Sequence, residues 1–88
     1  MIRRRLIVRG RVQGVFFRDS IRRFAQQRNV SGWVANRPEG TVEAVLEGDE
    51  EAVERVLEFA RLGPRGAHVE SVDVFDEEPE GLSGFAVR

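Results

Sequence analysis

The run Gly10-Arg11-Val12-Gln13-Gly14-Val15-Phe16-Phe17-Arg18 holds residue types that could do chemistry. An apolar, β-branched stretch enters a short turn with glycine at both ends. The turn opens onto a helix pattern whose first turn carries Arg18. N–H groups at a helix start lack intrahelical partners, and with the helix dipole they form an anion site without any special side chain. A nearby guanidinium adds a planar, permanently charged fork that matches phosphate oxygens. The chemistry to expect of this segment is the binding of a phosphoryl group.

The elements that must position it can be read from periodicity. Residues 4–12 alternate, with Leu6, Val8 and Val12 on one parity and Arg5, Arg9 and Arg11 on the other, which predicts a strand with one buried face. From Val15 to Arg28, Phe17, Ile21, Phe24 and Ala25 fall at i, i+4, i+7 and i+8, one face of a helix, and Asn29 is its left-handed stop. Val30 to Arg37 and Thr41 to Glu47 form two strands joined by a turn at Pro38-Glu39-Gly40. On the later strand Val42, Ala44 and Leu46 are expected inside, with Glu43 and Glu47 outside. Asp49 is expected to cap a helix over residues 50–62, with Val53, Val56, Leu57 and Ala60 as its apolar face and Gly63-Pro64 as its stop.

Val69 to Phe75 predicts a further strand. Its parity slips between Val69 and the pair Val72 and Val74, the mark of a bulge or a late start. Asp76 to Glu80 is read as an acidic loop and Phe85 to Val87 as a short terminal strand. The order β-α-β-β-α-β implies two interleaved crossover units. They give an α+β, ferredoxin-like sandwich: an antiparallel sheet, both helices on one face, and a short extra C-terminal strand. That scaffold hosts many unrelated functions and assigns none.

Composition narrows the class. With 88 residues the chain is expected to form a single domain over 1–88 with one small core. A hydrophobic share of 41% beside 33% charged residues argues against disorder. A net charge of −1 offers no field that would gather nucleic acid. All 14 basic residues are arginine, so a single arginine carries little meaning by itself. The absence of cysteine excludes disulfides, thiolate metal sites and cysteine nucleophiles, and fits a reducing cytoplasm. Met1-Ile2-Arg3-Arg4-Arg5 lacks the apolar stretch of a signal peptide or membrane span.

Gly10-Arg11-Val12-Gln13-Gly14-Val15-Phe16-Phe17-Arg18 together with Gly32-Trp33-Val34-Ala35-Asn36 resembles the two signature segments of the acylphosphatase family. The resemblance covers the whole chain, and Gly40-Thr41-Val42-Glu43-Ala44, Gly63-Pro64 and Phe85-Ala86-Val87-Arg88 fall where that family has similar stretches. It implies hydrolysis of acyl phosphates to a carboxylate and inorganic phosphate, with no cofactor and no metal. By the same resemblance the catalytic residues are Arg18 and Asn36, and the phosphate is cradled by the backbone of Gln13, Gly14, Val15, Phe16, Phe17 and Arg18. The partner it implies is a small-molecule acyl phosphate, and a monomer is the simplest state.

These residues also admit other readings. Arg18 alone would be a surface arginine, and Asn36 alone a turn residue before Pro38. Gly10, Gly14 and Gly32 can serve positive φ or close backbone approach, and Trp33 packing. His68 reads as a surface residue, and the acidic cluster from Asp76 to Glu80 as a solvated turn whose spacing matches no calcium loop. An RNA-recognition module needs aromatic residues on its central strands, and neither the first strand nor Thr41 to Glu47 has one. The alternative left standing is a non-catalytic ferredoxin-like ligand-binding or interaction domain.

Overall fold

In the computed structural model, which describes residues 1–88, the chain forms strands β1 (Ile2–Arg11), β2 (Ser31–Asn36), β3 (Val42–Gly48), β4 (His68–Glu77) and β5 (Phe85–Val87) and helices α1 (Phe17–Gln27) and α2 (Glu50–Leu62). The strands form one sheet in the order β4-β1-β3-β2-β5. β1 and β2 flank β3 and both run antiparallel to it, so they are parallel to each other and end at the same edge. β4 is antiparallel to β1, and β5 adds in parallel to β2.

Both helices cover one face. Phe17, Ile21 and Ala25 of α1 and Val53, Val56, Leu57 and Ala60 of α2 bury against Leu6, Val8, Val34, Val42, Ala44 and Leu46 of the sheet in one cluster. This is the ferredoxin-like sandwich, and the apolar positions of both helices are those the 3.6-residue period selects. Phe24, half-buried at the margin, stacks on Phe59 with ring centroids 4.4 Å apart.

Local signals account for most boundaries. Asn29 takes the left-handed conformation, φ 56°, after α1. α1 itself starts at Phe17, two residues later than the pattern suggests, because Phe16 is left-handed and cannot join a right-handed helix. The parity slip in β4 is a bulge: Arg9 faces Ser71 and Gly10 faces Val69, leaving Glu70 as the extra residue. A Cβ on Gly10 would stand 2.1 Å from the carbonyl oxygen of His68, and one on Gly32 1.8 Å from that of Val45. Both contacts are to backbone, so these two glycines are needed for strand approach. Asp49 occupies the N-cap of α2, but its carboxylate makes no capping hydrogen bond.

Two acidic residues depart from expectation. Glu47, expected outside, is 1% exposed. Its Oε2 accepts from Nη1 of Arg3 at 2.7 Å and from the N–H of Glu80 at 2.8 Å; its Oε1 accepts from the N–H groups of Gly81 and Leu82, each at 3.0 Å. Burial alone would push this carboxyl up, but the N–H of Glu80, the Arg3 guanidinium and the N–H groups of Leu82 and Gly81 hold it below its ordinary value. Outward parity on the uncovered sheet face is thus compatible with burial, because the segment between β4 and β5 crosses over Glu47. Glu77, expected in a solvated turn, is the last residue of β4 and accepts from Nε of Arg5 at 2.7 Å and Nε of Arg3 at 2.8 Å.

The arginines at the start of β1 therefore serve the fold. Arg5 and then Arg3 draw the Glu77 carboxyl down from 4.5 to about 2. A carboxyl with a lowered folded pKa contributes stability above its unfolded pKa and loses it as pH falls through the folded one. The melting temperature should therefore decline as pH drops from 4.5 toward about 2, and Glu77→Gln should flatten that acid limb. Calorimetry across this range checks it; an unchanged limb in the variant would remove Glu77 from the account.

Candidate active site

The parallel alignment of β1 and β2 leaves their ends two strand spacings apart, roughly 10 Å. The segment from Val12 to Phe16 spans that gap across the start of β3. Gln13 fixes the span: its side-chain amide donates to the carbonyl oxygens of Arg37 at 2.8 Å and Thr41 at 2.9 Å. Those carbonyls belong to the turn between β2 and β3, so the loop leaving β1 is stitched beside the end of β2, where Asn36 stands.

The result is an open cleft of about 290 Å³ lined by Val12, Gly14, Phe16, Phe17, Arg18, Asp19, Asn36 and Val87. Asn36 shares the parity of the buried Val34 and so lies on the helix face of the sheet, toward α1. Trp33 lies on the other face, with the Arg88 guanidinium 4.3 Å and the Arg5 guanidinium 5.7 Å from its ring centroid. It braces the strands, as expected of a packing residue. His68 opens β4 as an exposed residue.

The cleft is rich in donors. The main-chain N–H groups of Gly14, Val15, Phe16, Phe17, Arg18 and Asp19 find no acceptor within the chain; the first N–H taken up is that of Ser20, bonded to the carbonyl of Phe16 at 3.0 Å. Nη1 of Arg18 donates to the main-chain oxygen of Arg88 at 2.7 Å, leaving its remaining N–H groups free. Asp19 is the one acid on the lining, and it is neutralised locally. Arg22, and with it Arg23, pairs with its carboxylate and holds it below the usual carboxylate range.

Comparison with known proteins gives the family. The family model described as Acylphosphatase matches residues 4–87. The chain belongs to the acylphosphatase family. It is 53% identical over 83 residues to an acylphosphatase of Thiobacillus denitrificans, covering 94% of this chain and 92% of that relative. It is 55% identical over 86 residues to one of Thermococcus kodakarensis, covering 98% and 94%. The crystal structure of acylphosphatase from Bacillus subtilis superposes with a TM-score of 0.97 at 37% identity, covering 100% of this chain and 99% of that one. The activity is that of the family, hydrolysis of a small-molecule acyl phosphate at its carboxyl–phosphate bond. No helix is long and apolar enough to cross a membrane.

Of the residues singled out from the sequence of this acylphosphatase, the structure brings Gly14, Phe16, Phe17, Arg18 and Asn36 to one cleft. Gln13 and Val15 lie off its lining: Gln13 holds the turn, and Val15 packs against the core. Val12, Asp19, Val87 and Arg88 were missed as site residues. Val12 and Asp19 adjoin the motif, so proximity could have flagged them. Nothing in the sequence places Val87 or Arg88 there, because only the parallel pairing of β5 with β2 carries the chain end to the cleft.

Loss of the Gln13 amide would leave two carbonyls to find water in a half-buried place. Gln13→Ala is expected to lower the unfolding free energy by about 1–2 kcal/mol, the worth of two such bonds. Denaturant unfolding measures it, and wild-type stability in the variant would show that the stitch is not holding the loop.

Proposed function

We propose that this chain binds the phosphoryl group of its acyl phosphate with the main-chain N–H groups from Gly14 to Arg18 and the Arg18 guanidinium, and that Asn36 orients the attacking water. The observation that carries the proposal is the row of N–H groups without acceptors, on the segment that contributes Gly14, Phe16, Phe17 and Arg18 to the same cleft as Asn36. Such a row at a helix N-terminus fits the trigonal oxygens of a transferring phosphoryl group.

The chemistry asks for little more. The water oxygen bonds to phosphorus as the bond from phosphorus to the carboxyl oxygen breaks, and the water protons pass to phosphate and solvent. The departing carboxylate is stable as an anion and requires no general acid. Phosphoryl transfer of this type is loose, so positioning and charge stabilisation dominate over activation of the nucleophile. Asn36 offers a carbonyl oxygen to accept from the water and an NH₂ to donate to a phosphoryl oxygen. The main-chain oxygen of Arg88 sets the direction of the Arg18 fork, and Arg22 and Arg23 keep Asp19 from repelling the anion. This mechanism uses neither a metal ion nor a second subunit.

Arg18→Ala should lower kcat by at least ~10²-fold, the scale of losing one fixed donor to a developing charge. Asn36→Ala should likewise fall in kcat while the protein stays folded by circular dichroism. A continuous assay on a generic acyl phosphate reads both, and a folded Arg18→Ala protein with full turnover would end the assignment. Activity should also persist in EDTA; its loss on chelation, restored by a divalent cation, would replace this mechanism with a metal-assisted one.

A further inference from the structure

The cleft is lined by two kinds of group. Arg18, Asp19, Asn36 and the open main-chain N–H groups are polar; the side chains of Val12, Phe16, Phe17 and Val87 are apolar. Val12 and Phe17 are buried and belong to the core, but Phe16 is 82% and Val87 42% exposed. Five large apolar residues of this chain are exposed, Met1, Phe16, Leu62, Phe75 and Val87, and two of them stand on this single cleft. Scattered exposed apolar residues need no explanation, whereas a pair flanking a polar site does.

Phe16 is doubly unfavourable where it stands. Its ring is given to solvent, and its backbone is left-handed at φ 59°, ψ 23°, a conformation that bulky residues adopt rarely. A glycine or asparagine would satisfy the turn without either cost. Core packing does not explain the ring, because Phe16 makes no part of the buried cluster. Its position at the N-cap of α1 places it on the cleft, directly before the helix start that carries Arg18.

We infer that Phe16, with Val87 on the same cleft, forms an apolar lip that receives the acyl portion of the substrate and favours acyl phosphates with an aromatic or extended apolar acyl group over short or charged ones. This inference rests on the proposed binding of the phosphoryl group at Arg18. With that group held by Arg18 and the open N–H groups, the acyl portion extends toward solvent, where the exposed Phe16 and Val87 side chains stand on the same cleft. Burial of an aromatic or alkyl face against the Phe16 ring removes apolar surface of both from water. A carboxylate or carbamoyl group in the same place would lose hydration and gain no partner.

The test compares kcat/KM for benzoyl phosphate and acetyl phosphate in the unmodified chain and in Phe16→Asn, Phe16→Leu and Val87→Ala. Asparagine keeps the left-handed backbone and removes the ring; leucine keeps an apolar side chain. Taking the ratio of the two substrates within each protein, and then its change between proteins, cancels their different intrinsic reactivity. The benzoyl-to-acetyl ratio should fall about tenfold in Phe16→Asn, the scale of a small apolar contact in a specificity pocket. The loss should sit mainly in the KM for benzoyl phosphate. Phe16→Leu should recover part of the ratio, and Val87→Ala should shift it in the same direction by less. An equal change for both substrates in Phe16→Asn, or a ratio unmoved in both Phe16→Leu and Val87→Ala should Phe16→Asn not fold, would overturn the lip while leaving the phosphoryl site standing. Failure of the unmodified chain to hydrolyse either substrate would instead bring down the reading of the site itself.

Discussion

The cleft depends on a set of main-chain donors that the fold leaves without acceptors. Helix α1 starts abruptly after a left-handed residue, so no preceding turn takes up its first N–H groups, and the loop before it adds more. Buried in an apolar core these groups would be costly; on an open cleft they are free to bond water or an anion. The same feature that makes the helix start locally incomplete is what the proposed mechanism uses to hold a phosphoryl group.

Holding that surface in place falls to the sheet. β1 and β2 must be parallel and separated by β3 for the loop after β1 to pass beside Asn36, and the Gln13 amide ties the loop to the turn it passes. The Arg18 guanidinium is oriented from a third direction. β5 brings Arg88 alongside, its N–H bonded to the carbonyl of Val34 at 2.8 Å and its own oxygen facing Nη1 of Arg18. Three segments distant in sequence thereby converge on one site of a small protein.

The uncovered sheet face solves a separate problem. A sheet with helices on one side exposes the other, and here that face is crossed by an ion-pair network in which Arg3 and Arg5 meet Glu43, Glu47 and Glu77. Glu47 ties the network to the backbone by accepting three N–H groups from the segment that leads to β5. Such a buried carboxylate is tolerable because every lone pair faces a donor. The network thus helps guide the chain toward the strand that completes the cleft.

Much of this was legible from residue order. The strand and helix patterns predicted every element, the core faces of both helices and an irregularity in β4, read as a bulge or a late start, because periods of 2 and 3.6 are imposed by the backbone itself. Arg18 was marked by its place at a helix start after a glycine-bounded turn, whereas Asn36 was marked only by the resemblance of Gly32-Trp33-Val34-Ala35-Asn36 to the family's second segment. The burial of Glu47, the pairing of Glu77, the arrival of Val87 and Arg88 at the cleft and the stitching role of Gln13 were not legible. Each depends on which segments cross in space, and a polar residue reads the same in a sequence whether it meets water or a distant partner. Local backbone sterics and apolar spacing are written along the chain; the pairing of charges and the convergence of distant segments exist only once the sheet has fixed who lies beside whom.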